Sequence, residues 1–195
     1  MKIKVLVAMI AMAAPFAAFA SAPTQGSADV DKILYKIQQL NLIKFIQPIL
    51  LKKSQYNDLL TVIERCRAKE NDIKDLDAKE LKKVEGDIDT ALSGATNDGK
   101  YPSRELQEKL IKVQDALVTR RRIATNEMVD MIYEVCKKTL NEGQMNVIKN
   151  LIDPSFVGGK TDKMTDEQKI RLFIQQIFLD HMAYDLMREM AKHAE

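Results

Sequence analysis

The stretch LQEKLIKVQDALVTRRRIATNEMVDMIYEV, Leu106 to Val135, has the most regular apolar pattern in this chain of 195 residues. Its apolar residues recur at intervals of three and four, the period of one face of an α-helix, with one missed step at Arg120. They are Leu106, Leu110, Val113, Leu117, Ala124, Met128, Met131 and Val135. A stripe of this kind packs against a nearly parallel or antiparallel helix. We therefore expect a long helix here, with Ser103 as its N-cap.

The preceding segment is the natural partner of this helix. A second stripe predicts a helix that begins near residues 51–54 and ends near Leu92, followed by a turn over Ser93–Pro102. The stripe consists of Leu59, Val62, Ile63, Cys66, Ile73, Leu76, Val84, Ile88 and Leu92. Both helices would have roughly 40 residues and a length of about 60 Å, and together they would form a long hairpin.

Shorter helices are predicted on both sides of the hairpin, over residues 29–47, 141–152 and 165–192. A polar, glycine-containing loop is expected over 155–163. No long stretch alternates between apolar and polar residues, so no strand is predicted. The predicted fold is all-α, an extended bundle with a long antiparallel helical hairpin and additional shorter helices.

The N-terminus has the features of a secretory signal peptide. Lys2 and Lys4 precede an apolar run, which ends in the small-x-small site Ala18-Phe19-Ala20. We expect a signal peptide over 1–20, a flexible arm over 21–28 and a single helical domain over 29–195. The protein would then be periplasmic or secreted, with no transmembrane anchor after processing.

The charge of the remaining chain excludes one broad class of function. The chain has 30 basic and 28 acidic residues, and the predicted signal peptide contains two of the basic residues and none of the acidic ones. The mature chain is therefore neutral when its histidines are neutral. Nucleic-acid-binding domains are typically strongly basic, so we predict no nucleic-acid partner.

Cys66 and Cys136 are the only cysteines of the chain. Export would place them where a disulfide persists, and a single intrachain bridge is the one pairing that they allow. Two buried free thiols, which behave as small apolar side chains, are the alternative. The sequence leaves both alternatives open.

Three pentapeptides share one pattern: LNEGQ (Leu140–Gln144), MTDEQ (Met164–Gln168) and, in degenerate form, LKKSQ (Leu51–Gln55). In the first two copies an apolar residue precedes a capping residue, Asn141 or Thr165, and glutamine follows three positions later. This is the arrangement of a capping box, in which two side chains bind each other's backbone N–H groups. The third copy has lysine at the capping position. Capping boxes occur in many unrelated proteins, so helix starts are the simplest interpretation.

An exported helical chain with such segments also resembles the LTxxQ-motif family of periplasmic proteins, the Spy/CpxP-like chaperones and envelope-stress sensors. The resemblance covers Leu51 to about Ile177, with asparagine in place of threonine in one copy and methionine in place of leucine in another. It implies an ATP-independent holdase or an accessory subunit of a sensor, in which helices form a thin curved shell. Unfolded chains would bind a face that mixes apolar side chains with positive charge.

The resemblance makes six residues candidates for this client-binding face: Arg120, Arg121, Arg122, Ile123, Lys137 and Lys138. The simpler interpretation is a solvated helix face, because charge runs on helices usually have that role. Partners would be unfolded or partner proteins. The sequence leaves open whether the chain is a monomer or a homodimer.

The sequence offers little for catalysis, so we predict no enzyme and no cofactor. His181 and His193 are the only histidines, and Phe178 and Met190 stand where a di-iron Glu-x-x-His motif needs glutamate. Met187, Met190 and His193 are near neighbours on the predicted last helix and have side chains that suit Cu(I). Packing in the core is the other use of such methionines.

The sequence therefore predicts an exported helical binding protein, either an ATP-independent periplasmic chaperone or an envelope-stress accessory protein. A copper-binding envelope protein and a structural helical protein are the alternatives. Uptake of Cu(I) distinguishes the first alternative, and a screen for clients distinguishes the second.

Overall fold

The computed structural model describes residues 27–152 and 164–195, and these residues contain no strand. They form α1 (Ser27–Ile46), α2 (Lys53–Lys82), α3 (Glu85–Asp98), α4 (Arg104–Thr139), α5 (Glu142–Asn150), α6 (Asp166–Phe173) and α7 (Ala183–Ala191). A 3₁₀ turn over Gln47–Ile49 follows α1, and a π-helical turn over Ile174–Phe178 follows α6. The prediction of an all-α fold is confirmed.

Several predicted segments lie outside the described residues. These are the signal peptide over 1–20, most of the arm over 21–28 and the loop over 155–163. Helix α1 begins at Ser27, two residues before the predicted start. The chain divides into two units, residues 1–36 and residues 37–195. The described part of the first unit, residues 27–36, is the helical start of α1.

Helices α2 and α3 run antiparallel to α4, as the predicted hairpin requires. The Sγ atom of Cys66 lies 3.8 Å from the backbone oxygen of Met128. Farther along α2, Asp77 pairs with Arg120, and on α3 Asp87 pairs with Lys109 at 2.6 Å. Contacts that lie farther along α2 and α3 thus involve residues that lie nearer the N-terminus of α4.

The hydrophobic core of the second unit lies at one end of this hairpin. It joins the end of α1, the first half of α2, the second half of α4 and the helices that follow. At its centre the rings of Phe173 and Phe178 meet edge to face, with centroids 5.3 Å apart. Towards the tip of the hairpin fewer side chains are buried, among them Asp77, Val84 and Leu117.

The single helix predicted from residues 51–54 to Leu92 is interrupted. The backbone N–H groups of Lys83 and Val84 donate to the oxygens three residues earlier, so the last turn of α2 is tightened and α3 starts anew at Glu85. Val84 is only 1% exposed at this break. Neither proline nor glycine stands at the break itself, so no helix-breaking residue predicted it.

The turn predicted over Ser93–Pro102 begins later than expected. Helix α3 continues to Asp98, and the chain reverses only at Gly99, whose φ of 64° lies in the left-handed region. Glycine takes this conformation without a steric penalty, which explains why the helix ends there. Ser103 caps α4 as predicted, its side chain accepting from the N–H of Leu106 at 3.2 Å.

The last predicted helix, over 165–192, is also interrupted. In the π-helical turn the N–H of Leu179 donates to the oxygen of Ile174, five residues back. Asp180 then binds the N–H of Met182 at 2.8 Å through its side chain, and α7 starts one residue later. A short acidic side chain that binds nearby backbone gives the chain an alternative to a continuous helix.

Leu50 and Lys52 form an irregular link before α2. Leu50 is the one residue other than glycine with a positive φ in the described ranges, at 53°. Lys52 stands at the N-cap of α2, but an ammonium group cannot accept a hydrogen bond. The next N–H, that of Lys53, instead donates to the backbone oxygen of Glu195 at 2.9 Å.

Among the described residues, no helix combines the length and the apolar character that crossing a membrane requires.

Candidate functional site

Two of the three pentapeptides meet through their glutamines. The side-chain Nε2 of Gln55 donates to Oε1 of Gln144, and the Nε2 of Gln144 donates back to Oε1 of Gln55, both at 2.9 Å. Each Nε2 also binds a carbonyl of the other segment, that of Thr139 at 2.7 Å or that of Leu50 at 3.1 Å. Both side chains are buried.

The same two glutamines cap their own helices. Oε1 of Gln55 accepts from the N–H of Lys52, and Oε1 of Gln144 accepts from the N–H of Asn141. Each amide therefore makes four hydrogen bonds and uses its full capacity as donor and acceptor. A buried polar network that is fully satisfied fixes the relative position of its segments, here the starts of α2 and α5.

The third pentapeptide, Met164–Gln168, does not join this pair. Thr165 and Gln168 form the predicted capping box, with bonds of 2.8 and 3.2 Å, but Gln168 is exposed to solvent. The pentapeptide with threonine as its cap, Met164–Gln168, therefore only starts a helix. The buried partner of Gln144 is instead Gln55, from the degenerate copy that begins at Leu51. The quality of the caps did not predict this pairing.

Two of the six candidate client-binding residues are engaged with a buried aspartate. Arg120 and Arg121 each bind one carboxylate oxygen of Asp77 at 2.6 Å, and Asp77 is 1% exposed. Burial alone raises the pKa of Asp77, but the hydrogen bonds and positive charges of Arg121 and Arg120 outweigh it and hold this pKa below its ordinary value. These two arginines join α4 to α2.

The other candidates do not form one patch with these arginines. Arg122 and Ile123 are exposed, and Arg122 has no ion pair with any described residue. Lys137 pairs with Glu134 at 2.6 Å, and Lys138 is exposed. Fifteen residues separate Arg122 from Lys137 along α4, which is roughly 22 Å.

Exposed apolar side chains recur along both arms and the tip of the hairpin, which the charge pattern alone did not indicate. We call Leu76, Leu81, Leu92, Tyr101, Ile111, Val118 and Ile123 the hairpin surface; each is at least 44% exposed. In the described residues that follow Ile123, no large apolar side chain has comparable exposure. On α4, Ile111, Val118 and Arg122 share one face with Asp115 between them.

Cys66 and Cys136 are both buried free thiols, so the structure has the second of the two alternatives. Cys66 lies beside Met128, and Cys136 is eight residues farther along α4, roughly 12 Å away. A disulfide needs Cα atoms within about 7 Å. Burial raises the pKa of Cys66 to about 11, against the opposing charges of Arg65 and Lys69, and raises that of Cys136 to about 12.

The three residues of the copper alternative lie in different environments. Met187 is fully buried in the core, and Met190 is half-buried, with its Sδ 3.9 Å from the Tyr56 hydroxyl. His193 is exposed beyond the end of α7. Among the residues described, no three His, Cys, Asp or Glu side chains form a cluster that could hold a metal ion.

Sequence reasoning missed Asp77, although the sequence contains a signal for it. Asp77 follows Ile73 by four residues and precedes Val84 by seven, so it occupies a position of the apolar stripe of α2. A charged residue at such a position needs a partner, and three consecutive arginines stand on the helix that pairs with α2.

No protein-family model matches this chain, and no curated protein or solved structure matches it either. The resemblance to the LTxxQ-motif family therefore stays a prediction.

Proposed function

We propose that this protein is an exported binding protein that holds unfolded chains without ATP, with the hairpin surface as its client-binding face. One observation carries the proposal. Among the described residues from Ile37 onwards, the exposed large apolar side chains other than Ile37, Leu40 and Leu50 all lie between Leu76 and Ile123. Exposed apolar area lies on α1 as well, but on the hairpin it stands beside arginines, and exposed apolar area of this kind is typical of a surface that binds other proteins.

The charges of the hairpin fit this function. The apolar residues of the α4 face stand beside the exposed cation of Arg122, while Arg120 and Arg121 hold the two arms of the hairpin together. Exposed apolar side chains that alternate with charges bind many sequences weakly, because each contact buries a small area. Weak, general binding suits a holdase, which has to release its clients.

Aggregation of a chemically unfolded model protein tests the proposal. Residues 21–195, without ATP and at near-equal molar amounts, are expected to suppress the light scattering of the aggregating client. The double variant Ile111→Ser/Val118→Ser should require at least about threefold more protein, because both contacts lose apolar area. Leu40→Ser, an equally exposed position on α1, is the matched control and should act like the unchanged protein.

Circular dichroism of both variants checks that the helices are intact. If severalfold excess of the unchanged protein leaves aggregation unaffected, general holdase activity is refuted. If Leu40→Ser weakens suppression as much as the hairpin variant, the client-binding face is not the hairpin surface.

A further inference from the structure

A groove of about 450 Å³ lies where α2, α4 and the π-helical turn meet. We propose that this groove binds a short segment of a partner protein in which an apolar side chain is followed by a carboxylate, and that the carboxylate pairs with Arg67. The site is separate from the hairpin surface. It therefore goes beyond the holding of unfolded chains and does not depend on it.

The floor of the groove is apolar. Ile63, Ala124, Met128 and Phe178 line it and are buried, and the half-buried Leu179 forms part of its rim. A volume of several hundred cubic ångströms with an apolar lining is typical of sites that enclose a side chain or a small ligand. One large apolar side chain of a partner would cover the small apolar area that this floor leaves exposed.

The acidic groups in and beneath the groove already have partners. Glu70 pairs with Lys74 at 2.7 Å, and Asp180 accepts from the N–H of Met182. Asp77, next to the groove, is bound by Arg120 and by Arg121, which also lines it. Asp180 keeps its negative charge, because a backbone N–H does not neutralise a carboxylate. The groove is nevertheless lined by three basic side chains, Arg67, Lys74 and Arg121, against two acidic ones, Glu70 and Asp180.

Arg67 is a cation of the groove without an ion pair among the described residues. It lines the groove, and no carboxylate of the described residues pairs with it. Its guanidinium lies over the ring of Tyr184, 4.6 Å from the centroid, so its position is held from one side. A planar guanidinium stacked on a ring still presents N–H groups at its edge, which suit a carboxylate.

The π-helical turn supplies polar groups at the same groove. Gln175 and Gln176 both line it and are exposed. A π-helical turn introduces one extra residue into a helix and is frequent at functional sites. Two neighbouring amide side chains can donate to and accept from the backbone of a bound segment, which accounts for a peptide as the ligand.

Magnetic resonance shifts of the ¹⁵N-labelled protein test this proposal with a defined probe. The probe is the peptide Gly-Ser-Phe-Asp-Ser-Gly, with blocked ends, and the comparison peptide has asparagine in place of aspartate. We expect the aspartate peptide to shift the side-chain amide signals of Gln175 and Gln176 in a saturable way. Its affinity should exceed that of the asparagine peptide about tenfold, as a charge-assisted bond to Arg67 would provide.

Two variants and one control separate the parts of the site. Arg67→Gln should bind both peptides equally weakly, whereas Arg188→Gln, an exposed arginine on α7, should retain the tenfold preference. Gln176→Trp, at an exposed position on the rim, should block both peptides by filling the groove. Neither Arg67→Gln nor Gln176→Trp should change the suppression of aggregation. A failure of peptide binding can therefore be distinguished from a failure of the holdase function.

Three results would overturn the proposal. They are a lack of saturable shifts, shifts confined to residues outside the groove, and a preference for aspartate that persists in Arg67→Gln.

Discussion

Gln55 and Gln144 exchange two hydrogen bonds of 2.9 Å, and each also binds a backbone carbonyl of the other's segment. The two contributing segments are 89 positions apart in the chain. The contact joins the start of α2 to the start of α5 and closes the core end of the hairpin. A local motif, the capping glutamine, is thereby used twice, once for its own helix and once for tertiary structure.

Replacing Gln144 by alanine is expected to lower the free energy of unfolding by about 2 to 3 kcal/mol, because buried groups of Gln55, Leu50 and Asn141 lose their partner. Gln168→Ala is the matched control and should cost only about 0.5 to 1 kcal/mol, since Gln168 is exposed and caps one helix. Urea unfolding followed by circular dichroism measures both.

A double-mutant cycle tests whether the two glutamines act as a unit. The variant Gln55→Ala/Gln144→Ala should lose less stability than the two single losses added together, by at least about 0.5 kcal/mol. Strict additivity would show that the glutamines stabilise their own helices and not each other.

Leu50→Gly is expected to raise the free energy of unfolding by about 0.5 kcal/mol. Leucine is strained at a φ of 53°, and glycine removes more strain than it costs in entropy, since the leucine side chain is 79% exposed. Leu40→Gly, the same change at an exposed helical position, should lower it by about 1 kcal/mol. Equal effects at the two positions would mean that the conformation of Leu50 is not strained.

Asp77→Asn should lower the free energy of unfolding by about 2 kcal/mol near neutral pH, because two arginines lose hydrogen bonds to a charged group. Asp75→Asn, at an exposed neighbouring position of α2, should cost less than about 0.5 kcal/mol. Thermal or urea unfolding of the two variants gives the comparison.

The contribution of Asp77 to the free energy of unfolding should also depend on pH. Its pKa is lower in the folded protein than in the unfolded chain, so its stabilising contribution is complete above the ordinary aspartate pKa of about 4. The contribution is lost as the pH falls from there through the folded pKa. The stability difference between the unchanged protein and Asp77→Asn should therefore narrow in acid, and a constant difference would contradict a lowered pKa.

Cys66 and Cys136 should react with a disulfide reagent roughly 100-fold or more slowly in the native protein than after unfolding in urea, because reaction requires the protein to open. A cysteine introduced by Thr119→Cys, at an exposed position of α4, should react at the rate of a free thiol. Mass spectrometry assigns the labelled residues. A fast reaction at Cys66 would show that the core around α2 opens readily.

Local signals predicted the helices and most of their starts. Ser103, Asn141 and Thr165 each cap a helix as expected, because a cap depends on a side chain and on N–H groups two or three residues away. The apolar periods predicted which helices pair, because a stripe has to be covered by another stripe. The antiparallel hairpin follows from the sequence for this reason.

The interruptions were not predictable in the same way. The break before α3 and the π-helical turn before α7 lie in stretches whose apolar period continues, and no proline marks them. Val84 and Phe178, which lie at the two interruptions, are buried by packing against other helices. The helical period alone does not indicate where packing interrupts a helix.

By itself, the sequence determined that this protein is helical, where its long helices pair and which residues cap them, since all of these depend on short-range chemistry and on the helical period. Which partners the polar residues bind depends on the folded structure. Gln55 forms hydrogen bonds with Gln144, whereas Gln168 is exposed to solvent. Asp77 pairs with two of the three consecutive arginines. The reason is physical: a buried polar group has to find a partner in space, and the folded chain alone determines which groups come within reach.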